Sequence, residues 1–258
     1  MIILRSRAEI EKIRTSCAIV AEILDELVVN IRPGVTTWDL NAISEDLTAT
    51  KHAKPAFKGY NGYPFALCAS VNEEVVHGMP SKKRRLKAGD IIGLDFGVVV
   101  DGYYGDAAVT VAVGAITEAA VNLCTVTEEC LYEGIARAVS GNHLSDISHA
   151  IQDYVEKRGF SVVRDFVGHG IGQHLHESPQ VPNYGPPGRG VKLKPGMVLA
   201  IEPMINAGSP EVEILEDEWT AVTLDRELSA HFEHTIAVTE NGPLILTARK
   251  NQFTKLYG

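Results

Sequence analysis

The sequence predicts an α+β fold made of two similar halves, and three observations carry that prediction. Apolar spacing marks a helix pair, then strands, then a second helix pair and further strands. Segments from the two halves match at one constant offset. The 258 residues are 45% hydrophobic and 22% charged, a composition that supplies a large core.

The first helix opens at Ser6-Arg7-Ala8-Glu9, which reads as a capping box. Ile10, Ile13, Cys17, Ala21, Leu24, Val28 and Ile31 then recur at helical spacing until Pro33-Gly34 stops them. A second helix fits Thr37–Thr50, with Leu40, Ile43 and Leu47 inward. Residues 70–112 change character to β-rich runs broken by turn residues. Two more helices fit 117–139 and 145–158, the latter closed by Gly159, and strand-like runs continue from 161. The internal match places "PGVTTWDL" (33–40) on "SGNHLSDI" (140–147), with Gly34 on Gly141 and Asp39 on Asp146. The same offset places "LKAGDIIGLD" (86–95) on "LKPGMVLAIE" (193–202), so Asp95 falls on Glu202. A single domain with halves of about 1–112 and 113–258 is expected, and the meeting of two halves is a favoured place for a ligand.

A formal charge of −9 argues against nucleic acid as the main partner. The one basic run, Lys82-Lys83-Arg84-Arg85, reads as a solvated turn. Cys17, Cys68, Cys124 and Cys130 lack CxxC spacing and read as reduced thiols of a cytoplasmic protein. The amino terminus turns charged too soon for a signal peptide, and no apolar run is long enough to span a bilayer.

Two acids stand in unexpected places, and two more join them by strand geometry. Glu202 interrupts "MVLAIEPMI", a run that reads as a strand buried on both faces, and Asp95 interrupts "IIGLDFGVVV". A lone buried carboxylate takes up a proton or finds a partner. If Asp101-Gly102 is a two-residue hairpin turn, residue 97 pairs with 106. Asp95 and Asp106 then project from one sheet face as diagonal neighbours. Alternation in "HFEHTIAVT" places His231, Glu233, Thr235 and Ala237 on one face and Phe232, His234, Ile236 and Val238 on the other. "FVGHGIGQHLHESP" (166–179) adds His169 and His176, with Gly168 and Gly170 allowing close backbone approach. Four carboxylates balance two divalent ions, and a hydroxide held between such ions is a nucleophile near neutral pH. Carboxylates with one imidazole suit Mn, Fe, Co or Zn.

These segments, with "VVHGMP", resemble in order the motif series of the methionine aminopeptidases, over nearly the whole chain. The resemblance implies the pita-bread fold of the creatinase/aminopeptidase group, two pseudo-symmetric α/β halves around a dinuclear metal centre. It implies removal of the initiator methionine from nascent polypeptides and peptides, preferably before a small second residue. By resemblance Asp95, Asp106, His169, Glu202 and Glu233 fall on the metal ligands, and His77 and His176 on the two active-site histidines. Glu202 is the expected general base, and Phe57, Tyr60, Tyr63, Cys68 and Trp219 the expected methionine pocket. Leu175 departs from the pattern, standing where a Phe is common. The short interval from Glu202 to Glu233 points to type I, and the chain starts almost at its first helix, without the zinc-binding extension of some members. A monomer acting near the ribosome, with no membrane or direct nucleic-acid partner, completes the expectation.

Other readings fare less well. An Xaa-Pro aminopeptidase or prolidase would share the fold, and cleavage of Ala-Pro-Ala against Met-Ala-Ser separates the two. A metal-free creatinase-like hydrolase or a non-catalytic peptide-binding scaffold predicts eroded ligands, and all five positions are filled. A dinucleotide loop fails because Gly168, Gly170 and Gly172 alternate and do not form GxGxxG.

Overall fold

The computed structural model describes residues 2–250. Helices α1 (Arg7–Asn30) and α2 (Thr37–Thr50) come first, followed by β1 (Lys54–Pro55), β2 (Leu67–Val71) and β3 (Glu74–Val76). The long strands β4 (Ile91–Val100) and β5 (Tyr103–Ala112) close the first half. Helices α3 (Glu118–Arg137) and α4 (Leu144–Glu156) lead to β6 (Ser161–Val162), β7 (Gly168–Gly170) and β8 (Glu177–Val181). Then come β9 (Val198–Ile201), β10 (Met204–Asn206), β11 (Val212–Ile214) and β12 (Ala221–Thr223). Last are β13 (Ser229–His231), β14 (Glu233–Thr239) and β15 (Gly242–Ile245).

Among the described residues a nine-stranded sheet runs β1-β4-β5-β14-β9-β7-β8, with β2 on β4 and β15 on β14. Two three-stranded sheets, β13-β10-β6 and β11-β12-β3, flank it. Helix α1 starts on the expected capping box, with Ser6 and Glu9 bonded reciprocally. Its buried stripe of Ile13, Cys17, Val20, Ala21, Leu24 and Leu27 packs against β4 and β5. Ile10, Val28 and Ile31, also expected inward, are half-buried because they lie toward the helix ends. Each such aliphatic side chain fully withdrawn from water stabilises by about 1.5–3 kcal/mol. Helices α3 and α4 pack on one another, with Ile135, Ile147, Ile151 and Val155 in the same core.

Hydrogen bonds recur at the offset seen in the sequence. Gly34 N–H donates to Leu86 O at 2.8 Å, and Gly141 N–H to Leu193 O at 3.0 Å. Isolated bridges join Thr36 to Arg85 and His143 to Lys192. Asp39 accepts from Thr36 N–H at 2.9 Å, and Asp146 from His143 N–H at 2.8 Å, each opening a helix. Gly34 and Gly141 share a left-handed φ, 96° and 94°, that only glycine adopts cheaply.

One expectation needs correction. "MVLAIEPMI" is not one strand: β9 ends at Ile201, and β10 resumes at Met204 in a different sheet. Pro203 offers no N–H to a ladder, so pairing breaks there and Glu202 is left on the turn between sheets. Lys82, Lys83 and Arg85 of the basic run are exposed, while Arg84 bonds to Val71 O and lies 3.7 Å from Glu74. All four cysteines are free and buried, and no helix among the described residues is long and apolar enough to cross a membrane.

Candidate active site

The β4–β5 hairpin has the predicted register, with Gly97 opposite Asp106 and the turn at Asp101-Gly102 in left-handed φ. Asp95 and Asp106 therefore share a face. Asp95 pairs with Ala108, and Ala108 with Glu233 of β14. Thr235, two residues on, pairs with Ala200 of β9, which pairs with His169 of β7. Glu202 follows Ala200 by two and faces the same way. Ala108, Ala200 and Thr235 are small, so the longer acids and the imidazole meet above them. Thr235 also fixes Asp106: its Oγ1 accepts from the Asp106 N–H at 3.3 Å and donates to the Asp106 carbonyl at 2.7 Å.

Backbone proximity brings His169 in. A Cβ on Gly168 would lie 2.4 Å from Ala200 O, and one on Gly170 would lie 2.5 Å from Ser178 O. Only glycine on both sides of His169 lets β7 sit this close to β9 and β8.

Ligand atoms of Asp106, His169 and Glu233 lie within 4.8 Å of one another. Glu202 Oε1 is 3.4 Å from His169 Nε2, and Asp95 lines the same cavity. The residues fit a cation site on two grounds. Asp95 Oδ1, Asp106 Oδ1, Glu202 Oε1 and Glu233 Oε1 are buried without a hydrogen-bond partner among the described residues, and such oxygens are costly to leave unpaired. His169 Nδ1 lies 3.0 Å from the Gly170 carbonyl, which can only accept, so Nδ1 carries the ring proton. Burial, aided by the positive charge His176 could carry, lowers the His169 pKa to about 3. Its Nε2 is therefore a bare lone pair facing a carboxylate, an arrangement that calls for something positive between them.

The acids respond as a crowded set of like charges. Burial raises the Asp95 pKa to about 7. Burial and then the neighbouring acids push Asp106, Glu202 and Glu233 well above their usual values.

His77 and His176 face the same cavity of about 160 Å³. Burial lowers the pKa of both, His77 to about 4. His77 has a left-handed φ of 59°, a conformation that costs a non-glycine residue about 1–3 kcal/mol and marks functional sites. The His176 ring stands 4.3 Å from that of His169, and its Nδ1 is 3.0 Å from Tyr60 Oη. The remaining wall is apolar: Phe57, Tyr63, Cys68, Leu175 and Trp219, with Tyr63 edge-on to Trp219 at 5.1 Å. Tyr63 Oη is anchored on the carbonyls of Leu67 at 3.0 Å and Gly78 at 3.2 Å, which fixes the ring in this wall.

Every site residue expected from the sequence thus borders one cavity, and Leu175 lines it as well. Asn61 also lines it and was missed. The signal was present in "YNGY", an Asn-Gly turn between two singled-out tyrosines, where Asn61 takes a φ of 47°.

A curled antiparallel sheet that gathers acids and an imidazole on one face is built to hold metal, and the family comparison gives its class. The chain belongs to metallopeptidase family M24, whose model matches residues 11–240. It is 53% identical to the methionine aminopeptidase of Clostridium acetobutylicum over 96% of this chain and 99% of that protein. It is 54% identical to methionine aminopeptidase 1 of Bacillus subtilis, again over 96% and 99%. The crystal structure of methionine aminopeptidase from Thermotoga maritima superposes with a TM-score of 0.95 at 51% identity, covering 96% of this chain and 100% of that one. The prolidase of Pyrococcus horikoshii, 23% identical with a TM-score of 0.79 over 97% of this chain and 65% of its own, shares the fold alone. The chain is an enzyme of this family, and divalent metal use comes with it.

Proposed function

We propose that this enzyme hydrolyses the amino-terminal methionine from peptides and nascent polypeptides, preferably before a small second residue. The observation that carries the reading is the set of four unpartnered carboxylate oxygens gathered with one imidazole at the end of an apolar cavity. Names of relatives about half identical over nearly the whole chain support the substrate. The cavity, about 160 Å³, is comparable with the ~150 Å³ void that admits benzene in another protein, so its apolar wall has room to seat one side chain. A thioether packs well against the rings and sulfur of Tyr63, Trp219, Phe57 and Cys68.

Asp95, Asp106, His169, Glu202 and Glu233 would hold two divalent ions, drawn from Mn, Fe, Co or Zn. The chemistry supplied there is Lewis acidity toward the scissile carbonyl and acidity for a water nucleophile. Glu202 takes the proton from that water as general base. His176 is neutral near pH 7. In the tautomer protonated at Nε2, Nδ1 accepts from Tyr60 Oη 3.0 Å away and Nε2 donates to the carbonyl oxygen. His77, held by its backbone turn, hydrogen-bonds the scissile amide and its departing nitrogen. Asp95 lies where the free α-amine is received, which limits the enzyme to chain ends.

The same proposal takes residues 1–258 as one catalytic domain of two pseudo-symmetric halves dividing near residue 112, supported by the paired bonds at Gly34 and Gly141. It takes the enzyme as a monomer working near the ribosome and as cytoplasmic, the compartment being supported by four free, buried thiols suited to a reducing environment.

Metal analysis of the purified protein, paired with methionine release from Met-Ala-Ser before and after chelation, tests the reading. Release is expected to stop on chelation and return with one of the named ions. Undiminished turnover by metal-free protein, or faster cleavage of Ala-Pro-Ala, would overturn it.

A further inference from the structure

His176 sits on a stretch, residues 172–176, without regular secondary structure, so side-chain chemistry must fix where its ring stands. The adjoining Glu177 folds back over this stretch. Its Oε1 accepts from the backbone N–H groups of Gln173 at 2.8 Å and His174 at 3.0 Å. Arg5, 172 residues earlier in the chain, places Nη2 at 2.5 Å from both oxygens of the same carboxylate. The Arg5 side chain is 2% exposed and that of Glu177 9%.

Arg5 is itself anchored. Its backbone N–H donates to Gly196 O at 2.7 Å, and Nη1 reaches Glu9 Oε1 at 3.5 Å, within the capping box of α1. Gly172 lies flat on the guanidinium, where a Cβ would come 2.3 Å from Nη2. Removing both charges from water is a poor route to stability, and the better-attested use of a buried ion pair is to fix one geometry. Leu175, buried on the cavity wall, and Glu177, held by Arg5, flank His176 and leave its backbone little freedom.

We propose that Arg5 is a positioning residue for the reaction, locking the 172–177 loop through Glu177 so that His176 stands in the cleft against Tyr60. The inference rests on the role given to His176 above. Misplacement of a substrate-binding group by about 1 Å can lower turnover by ~10²-fold, so a loosened clamp has a measurable effect.

The test compares Arg5→Met, Arg5→Lys, Glu177→Gln, His176→Ala and the Arg5→Met/His176→Ala double variant on Met-Ala-Ser at saturating metal. Arg5→Met and Glu177→Gln are each expected to lower kcat at least ~10-fold with KM changed by less than about threefold. Lysine is expected to restore part of the loss, since it keeps the charge but not the planar guanidinium. In the His176→Ala background, Arg5→Met is expected to change kcat by less than about twofold, because the group it positions is gone. In metal-free protein the His176 ring resonances, identified by their absence from His176→Ala, are expected to shift or broaden in Arg5→Met while those of His234, held by Tyr132 and Thr247 away from the loop, stay. Equal losses in both backgrounds would mark general structural damage and overturn the proposal, as would unchanged kcat and unchanged His176 resonances. Full turnover by His176→Ala alone would instead remove the role given to His176, and the resonances would still decide whether Arg5 holds the ring. Glu177→Gln keeps the loop's two amide bonds while removing the ion pair, so the idea stays testable if Arg5→Met fails to fold.

Discussion

A carboxylate oxygen 3.4 Å from a bare imidazole nitrogen is the smallest unit of this site, and Glu202 and His169 form it. Both were visible in the sequence for reasons of solvation: a charge inside an apolar run has no water to face, and glycines on both sides of a histidine signal close approach. The contact between Tyr60 and His176 was not visible, because 116 residues separate them and neither position breaks a local pattern. The residue-scale prediction concerns Glu202→Gln, which keeps the size and loses the base. Methionine release at saturating metal is expected to fall at least ~10²-fold with thermal unfolding little changed. Near-normal turnover would take Glu202 out of the role of base.

Among the elements, the β4–β5 hairpin was the most legible, since a two-residue turn sets the register of every pair that follows it. Helix α2 also has the expected bounds, Thr37–Thr50, with Leu40 buried and Ile43 and Leu47 half-buried. The run at 197–205 reads as one strand because apolar composition does not say where a ladder ends; the missing N–H of Pro203 does. Strands β7 and β9 offer a test at this scale. Gly168→Ala would drive a methyl group into Ala200 O, 2.4 Å away, where backbone cannot yield cheaply. Overpacking of that kind costs about 1–3 kcal/mol. Urea unfolding is expected to show it, together with weaker metal uptake as His169 is displaced. Wild-type stability and metal affinity in that variant would show that the two strands have slack.

For the whole molecule, curling of one sheet brings four acids from distant segments into a single cavity, and that sets its response to pH. Burial and mutual repulsion raise their pKa values in the metal-free fold above those of the unfolded chain. Groups shifted this way contribute stability that is full below the unfolded values and is lost as pH rises through the folded ones. The buried neutral histidines give the opposite slope below about pH 6.5. The metal-free protein is therefore expected to melt at lower temperature as pH rises from about 7 to 8.5, where the acids alone titrate. The slope is roughly 1 kcal/mol per pH unit for each site titrating in that window. Divalent ions bind the deprotonated acids, so the gap between metal-loaded and metal-free melting temperatures is expected to widen over the same range. A gap that narrows would mean the acids are not held together as described. The order of elements, the hairpin register, the recurring offset and the acids out of place are all legible along the chain, because each is written in local spacing and in single residues at odds with their surroundings. That the acids share one cavity, that Tyr60 meets His176 and that Arg5 reaches Glu177 emerges from long-range packing alone. Such contacts follow from how the sheet curls and where the helices press on it, and no local pattern encodes the distance between segments brought together that way.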